Sequence, residues 1–233
     1  MKKKRDWNRI IGGCIFTSFV IPVGFLIYRI IAIKVTGVNT GERSVADYAL
    51  MLVQCFLGII AMLLPGWLTK KVKLEVPSAM YMAYMLFLFC AIFLGEVRNF
   101  YYVVPNWDTI LHILSGAMLG ALGFSFVNLL NNQEKLHMNL TPLFVAVFAF
   151  CFAVTLGALW EIYEFSFDGV LGLNMQKFRL EDGTELIGRK AVTDTMKDII
   201  VDCLGAAAMS ILGYLQLKYK SGTFDKILIR KAK

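Results

Sequence analysis

Residues Ala191 to Ser210, AVTDTMKDIIVDCLGAAAMS, constrain the fold more than any other stretch of this chain. They open an apolar segment long enough to cross a bilayer, yet they carry Asp194, Asp198 and Asp202 at intervals of four. On a helix that spacing stacks three carboxylates down one face, over roughly 12 Å of rise. An aspartate at the centre of a membrane helix costs about 2.5–3.5 kcal/mol on insertion scales. The stripe must turn away from lipid, and other spans have to supply its partners.

The surrounding sequence has the same character. Hydrophobic residues make up 58% of the 233, the mean hydropathy is +0.62, and the 18% that are charged fall in clumps between long apolar runs. That composition belongs to an integral membrane protein. The expected fold class is an all-α, polytopic transmembrane helical bundle of six spans. The spans run from about Ile10 to Ile33, about Tyr48 to Leu68, after Pro77 to near Glu96, Val97 and Arg98, Asp108 to about Leu130, Pro142 to about Asp168, and a last one ending near Leu217. The basic start resembles a signal peptide, but its apolar run is too long and no small-x-small site follows, so it reads as a retained first span. Residues 1–9 form a basic arm, 10–217 the six-span domain and 218–233 a basic tail. Thr141 and Pro142 suit an N-cap and a first helical residue. Gly116 and Gly120 have the spacing that lets two membrane helices approach closely.

Six spans place both termini on one side. Fifteen of the 24 basic residues fall on that side, in the arm, Lys70 to Lys73, Lys135 and the tail, whereas 13 of the 17 acidic residues fall on the other. By the positive-inside rule the termini are cytoplasmic, in the inner membrane. The same rule accounts for the net charge of +7 without any nucleic-acid partner; the lipid bilayer is the partner implied. Before the last span, FRLE and TELI flank Asp182 and Gly183, a pairing that predicts a small β-hairpin outside the membrane. The five cysteines (Cys14, Cys55, Cys90, Cys151, Cys203) each stand alone in an apolar run and read as buried, inert thiols. No internal repeat supports an inverted-repeat transporter.

Three helix ends carry polar groups to the outer side. Asp108 and His112 are one turn apart with Ser115 next on that face; Glu161, Glu164 and Asp168 share a second face; Asp194, Asp198 and Asp202 form the third. Several of these have structural readings as well. Asp108 and Asp194 suit first-turn capping, Glu164 and Asp168 suit the interface, and a lone His112 suits a hydrogen-bonded core position. Glu161, Asp198 and Asp202 fall within apolar sequence and need partners. Carboxylates held together must protonate, pair with bases or bind a cation. Only Arg29, Arg98 and Lys197 offer positive charge near the outer ends, too few for so many acids. A divalent cation held by Asp108, His112, Glu161, Asp198 and Asp202 is the economical answer, with Glu161 and Glu164 as catalytic candidates. Oxygen ligands with one imidazole suit Mn²⁺, Mg²⁺, Ca²⁺ or Zn²⁺.

WDTILHILSG (Trp107 to Gly116), WEIYE (Trp160 to Glu164) and TDTMKDIIVDCLGA (Thr193 to Ala206) resemble the polar signatures of the YjdF-like bacterial inner-membrane proteins, a family itself uncharacterised. More distantly they are similar to VanZ-like membrane proteins, which pair an acid and a histidine at the head of a span. The resemblance covers roughly Trp107 to Ala206 and implies Asp108 with His112, Glu161 with Glu164, and Asp198 as signature positions. Gly188, Arg189 and Lys190 depart from the more Gly-rich, acidic entry it implies for the last span.

Three functions accommodate such a cluster. One is a metal-dependent enzyme at the outer face, acting on a lipid-linked or envelope substrate. The second is a cation- or proton-coupled transporter, which needs a polar route through the inner half; there the last three spans offer only Ser125, Asn128, Thr155, Ser210 and Gln216. The third is a non-catalytic membrane module that uses the cluster as a structural clamp.

Overall fold

The structure, a computed structural model, describes residues 7–39, 43, 45–71, 73–131, 140–180, 183–219, 222 and 228–231. The arm up to residue 6, the loop 132–139, Asp182 and most of the basic tail lie outside the described residues. The fold is all-α. Its helices are α1 (Trp7–Thr36), α2 (Val45–Lys71), α3 (Ser78–Leu88), the short α4 (Phe100–Val103), α5 (Trp107–Asn131), α6 (Pro142–Leu171) and α7 (Thr193–Tyr219). Among the described residues six helical segments are long and apolar enough to cross a membrane: Ile10–Thr36, Asp47–Lys71, Ser78–Val97, Trp107–Leu130, Pro142–Leu171 and Gly188–Tyr219. These match the six expected runs, the expected ends falling within about three residues of those observed.

The chain forms two compact units that divide between Trp107 and Asp108. The first contains α1 to α4. Phe19 and Met85 centre one apolar cluster there, and Leu26 and Cys55 another. Beyond Leu88, α3 widens into a π-helical stretch, Phe89–Val97, where Arg98 N donates to Phe93 O five residues back. A widened turn of this kind has no periodicity signal in the sequence.

The second unit contains α5, α6 and α7. Thr141 caps α6 by accepting from Phe144 N at 3.3 Å, and Pro142 follows as expected. Small residues set how closely the helices approach. A Cβ on Gly123 of α5 would lie 2.8 Å from Ala149 Cα of α6. A Cβ on Gly116 would run into the backbone oxygen of Asp202 on α7, and one on Gly205 into that of Ile113 on α5. Only glycine permits such backbone contact, so α5 and α7 meet on either side of the Asp202 level.

The expected hairpin is not confirmed as a pair of strands. Arg179 and Glu185 make one isolated antiparallel bridge, flanked by Leu180 N to Thr184 O and Leu186 N to Phe178 O, both 2.9 Å. The cysteine expectation also needs correction. All five are free and Cys55 is buried, but Cys14 and Cys151 lie on exposed helix faces. In a bilayer such a face meets lipid, which solvates a small apolar thiol as well as a core does.

Candidate metal centre

The centre is built where α5 and α7 touch. Asp108 stands in the first turn of α5, with His112 one turn on and Ser115 three residues later on the same face. The glycine contacts bring Asp202 against this face. Its Oδ2 lies 3.2 Å from His112 Nδ1, and Ser115 Oγ lies 2.7 Å from its Oδ1. From α6, Gly157 leaves the space it needs, since a Cβ there would approach Asp202 Oδ2 to 2.8 Å. Asp202 is 3% exposed and wedged between three helices.

A proton on Nδ1 directed at Asp202 leaves the Nε2 lone pair pointing the other way, to Asp108 and Asp198. Nε2 is 3.7 Å from Asp108 Oδ1 and 4.0 Å from Asp198 Oδ2. Asp198 is 2% exposed. Asp108, His112 and Asp198 each present one ligand atom within 4.8 Å of the others. Ligands about 2.1 Å from a tetrahedral metal sit about 3.4 Å apart, so the two His112 separations need to contract by about 0.3 and 0.6 Å and the two carboxylates by up to about 1.4 Å. A carboxylate on one imidazole nitrogen and a ligand position at the other is how metal-binding histidines are oriented.

The remaining acids divide by their partners. Glu161, 4% exposed, has no hydrogen-bond partner at either carboxyl oxygen among the described residues. It stands one turn on from Gly157, whose face of α6 packs against Asp202. Such a pair of orphaned oxygens in a buried site calls for a ligand, a water or a proton. Glu164, one turn on, accepts from Trp160 Nε1 at 2.9 Å. Asp168 has a structural task. Its buried carboxylate accepts from Met175 N at 2.7 Å and Gln176 N at 2.9 Å, clamping the loop that follows α6.

That clamp delivers a residue absent from the sequence reading. Among the described residues, the ammonium of Lys177 contacts Asp108 Oδ2 and lies 3.7 Å from Asp194 Oδ2. Asp108 is therefore shared, Oδ1 towards His112 and Oδ2 towards Lys177. Burial opposes the charge on Lys177, but the Asp108 and Asp194 carboxylates outweigh it and hold the ammonium above its ordinary pKa. Lys177 takes a left-handed backbone with φ +48, which costs a lysine about 1 kcal/mol. Gln176 Nε2 donating to Thr195 Oγ1 at 2.6 Å, and Arg179 Nη2 to the carbonyls of Gly172 and Leu173, hold the loop on either side. Nothing in the local sequence marks Lys177, because its partner Asp108 is 69 positions away.

Of the five residues expected to ligate a metal, Asp108, His112 and Asp198 supply the converging atoms, Asp202 faces the opposite edge of the imidazole, and Glu161 stands beside them unpartnered.

Residues 21–219 match the family described as "Predicted membrane protein (DUF2238)". An uncharacterised protein of Thermotoga maritima is 28% identical over 131 residues, which is 56% of this chain and 58% of that protein. The chain thus spans little more than half the length of that relative. No solved structure matches it.

Proposed function

We propose that this chain, which belongs to the family described as "Predicted membrane protein (DUF2238)", is a membrane protein built around a divalent-cation centre, with Asp108, His112 and Asp198 as the protein ligands. The observation that carries this reading is the divided use of His112: Asp202, itself accepting from Ser115 Oγ, meets Nδ1, and Nε2 faces Asp108 and Asp198. One imidazole among carboxylates favours Mn²⁺ or Zn²⁺ over Ca²⁺ and Mg²⁺, which prefer all-oxygen shells. Asp202 positions His112 and is not itself a ligand in this reading.

A catalytic role follows from Glu161. A buried carboxylate with two unpartnered oxygens beside a cation is placed to take a proton from a metal-activated water, or to serve as a further ligand. Glu164, held by Trp160, is the alternative base on the same face. The acids gather at one end of α5 to α7, whereas the buried polar groups Ser125, Ser210 and Gln216 towards the other end carry no ionisable group. This distribution supports a one-sided catalytic centre over a route for transport. The basic-residue distribution orients the termini to the cytoplasm and the centre to the outer half of an inner membrane, where a lipid-linked or envelope substrate would reach it.

Equilibrium dialysis of the detergent-purified protein against Mn²⁺ or Zn²⁺, followed by elemental analysis, tests the reading. Retention of metal by the wild type and its loss in His112→Gln is expected. A wild type that retains none after dialysis would overturn it.

A further inference from the structure

Asp108 uses its two oxygens in two directions, and both directions end at a cation position. Oδ1 faces the ligand atoms of His112 and Asp198, and Oδ2 holds the Lys177 ammonium. The bridging carboxylate of a two-metal site divides its oxygens in the same way, between ions about 3.5–4 Å apart. The groups around Lys177 also suit a metal ion. Asp194 Oδ2 is 3.7 Å from the ammonium, so two carboxylates face it. Glu161, buried and unpartnered, stands beside the same cluster.

The placement of Lys177 is not a by-product of a loose loop. Asp168, Thr195 and the Arg179 contacts hold the neighbours of Lys177 on both sides, and the lysine itself sits in the left-handed region, at φ +48. Unfavourable backbone of this kind persists where the surroundings enforce it, commonly at functional sites.

We infer that Lys177 is a built-in cation seated in the second metal position of a carboxylate-bridged pair, and that it restricts the centre to a single divalent ion. The inference rests on the cation centre proposed above. With Lys177 in place, Asp108 ligates one metal through Oδ1, and its Oδ2 is neutralised by the chain itself. Without the ammonium, Asp108 Oδ2 and Asp194 become ligands for a second ion adjacent to the first.

The test is a titration with Mn²⁺ followed by electron paramagnetic resonance, which counts bound ions and reports coupling between neighbouring ones. Lys177→Asn and Lys177→Gly are the variants, because both residues tolerate a left-handed backbone and the loop keeps its other anchors. Expected are one Mn²⁺ per wild-type chain and two, spin-coupled, per chain of either variant. Adding Asp194→Asn to Lys177→Asn should restore one. Two ions bound by the wild type would overturn the inference while leaving the cation centre intact. One ion bound by both single variants would do the same. No ion bound by the wild type would remove the centre itself, and the inference with it.

Discussion

Gly205→Ala tests whether backbone contact between α5 and α7 sets the geometry of the centre. The added Cβ would run into the carbonyl oxygen of Ile113 and lie 3.0 Å from Ala117 N. Neither atom can rotate away, so the helices must part, by on the order of 1 Å. A gap of that size forfeits a quarter to a half of each van der Waals contact; for roughly 30 contacts of about 0.15 kcal/mol this is about 1–2 kcal/mol. With backbone strain added, the total falls in the middle of the 1–3 kcal/mol typical of overpacking, about 2 kcal/mol. At about 2–4 °C per kcal/mol for a chain of this size, the melting temperature should fall by about 4–8 °C. Gly169→Ala is the control, since a Cβ there meets nothing within 4 Å. It should leave stability unchanged or raise it by up to about 1 kcal/mol. Thermal melting of both variants in one detergent reads the difference. The same separation draws Asp202 away from His112 Nδ1, so Gly205→Ala should also weaken cation binding. A Gly205→Ala protein melting within about 1 °C of the wild type would refute the seam as described.

Asp198→Asn removes a ligand charge and should abolish the loss of melting temperature that a chelator causes in the wild type; Asp202→Asn, acting through His112, should weaken cation affinity by about 10–100-fold. An Asp198→Asn variant as chelator-sensitive as the wild type would sink the ligand assignment. Lys177 has a pKa raised above its ordinary 10.5, so its ion pairs contribute stability that is complete below that pH and is lost as pH rises through the folded value. The melting-temperature difference between the wild type and Lys177→Asn, in metal-free buffer, should be flat from about pH 7 to 10 and shift against the wild type above about 10.5; a shift in the wild type's favour would contradict the pairing. Ile187 is 86% exposed in the connection between α6 and α7. A cysteine there, in a background lacking the native five, should react with a membrane-impermeant maleimide on intact cells, whereas labelling only after lysis would reverse the orientation.

The membrane helices were legible because run length and flanking charge are local signals, as at Thr141 and Pro142 before α6. The acidic stripe of α7 was legible for the same reason, but the separate tasks of its members were not. Asp194 pairs with Lys177, Asp198 faces His112 Nε2 and Asp202 holds Nδ1, a division set by where Gly116 and Gly205 let the helices touch. Intervals of four say which residues share a face and nothing about the height at which a neighbouring helix crosses it. Lys177 was wholly hidden. Its position depends on the clamp at Asp168 and on a left-handed backbone that no lysine advertises. Counting positive charge only near the helix ends therefore left out the cation that touches the cluster.

X-ray absorption at the metal edge tests the proposed centre most directly. Purified wild-type protein loaded with Zn²⁺ and freed of excess should show a first shell of one imidazole nitrogen with oxygen donors, without sulfur. In His112→Gln the bound zinc should be lost, and any that remains should show no histidine scattering, because His137, the other histidine of the chain, has no place in the proposed shell. A shell containing sulfur, or an imidazole signal that survives His112→Gln, would contradict a centre built on Asp108, His112 and Asp198.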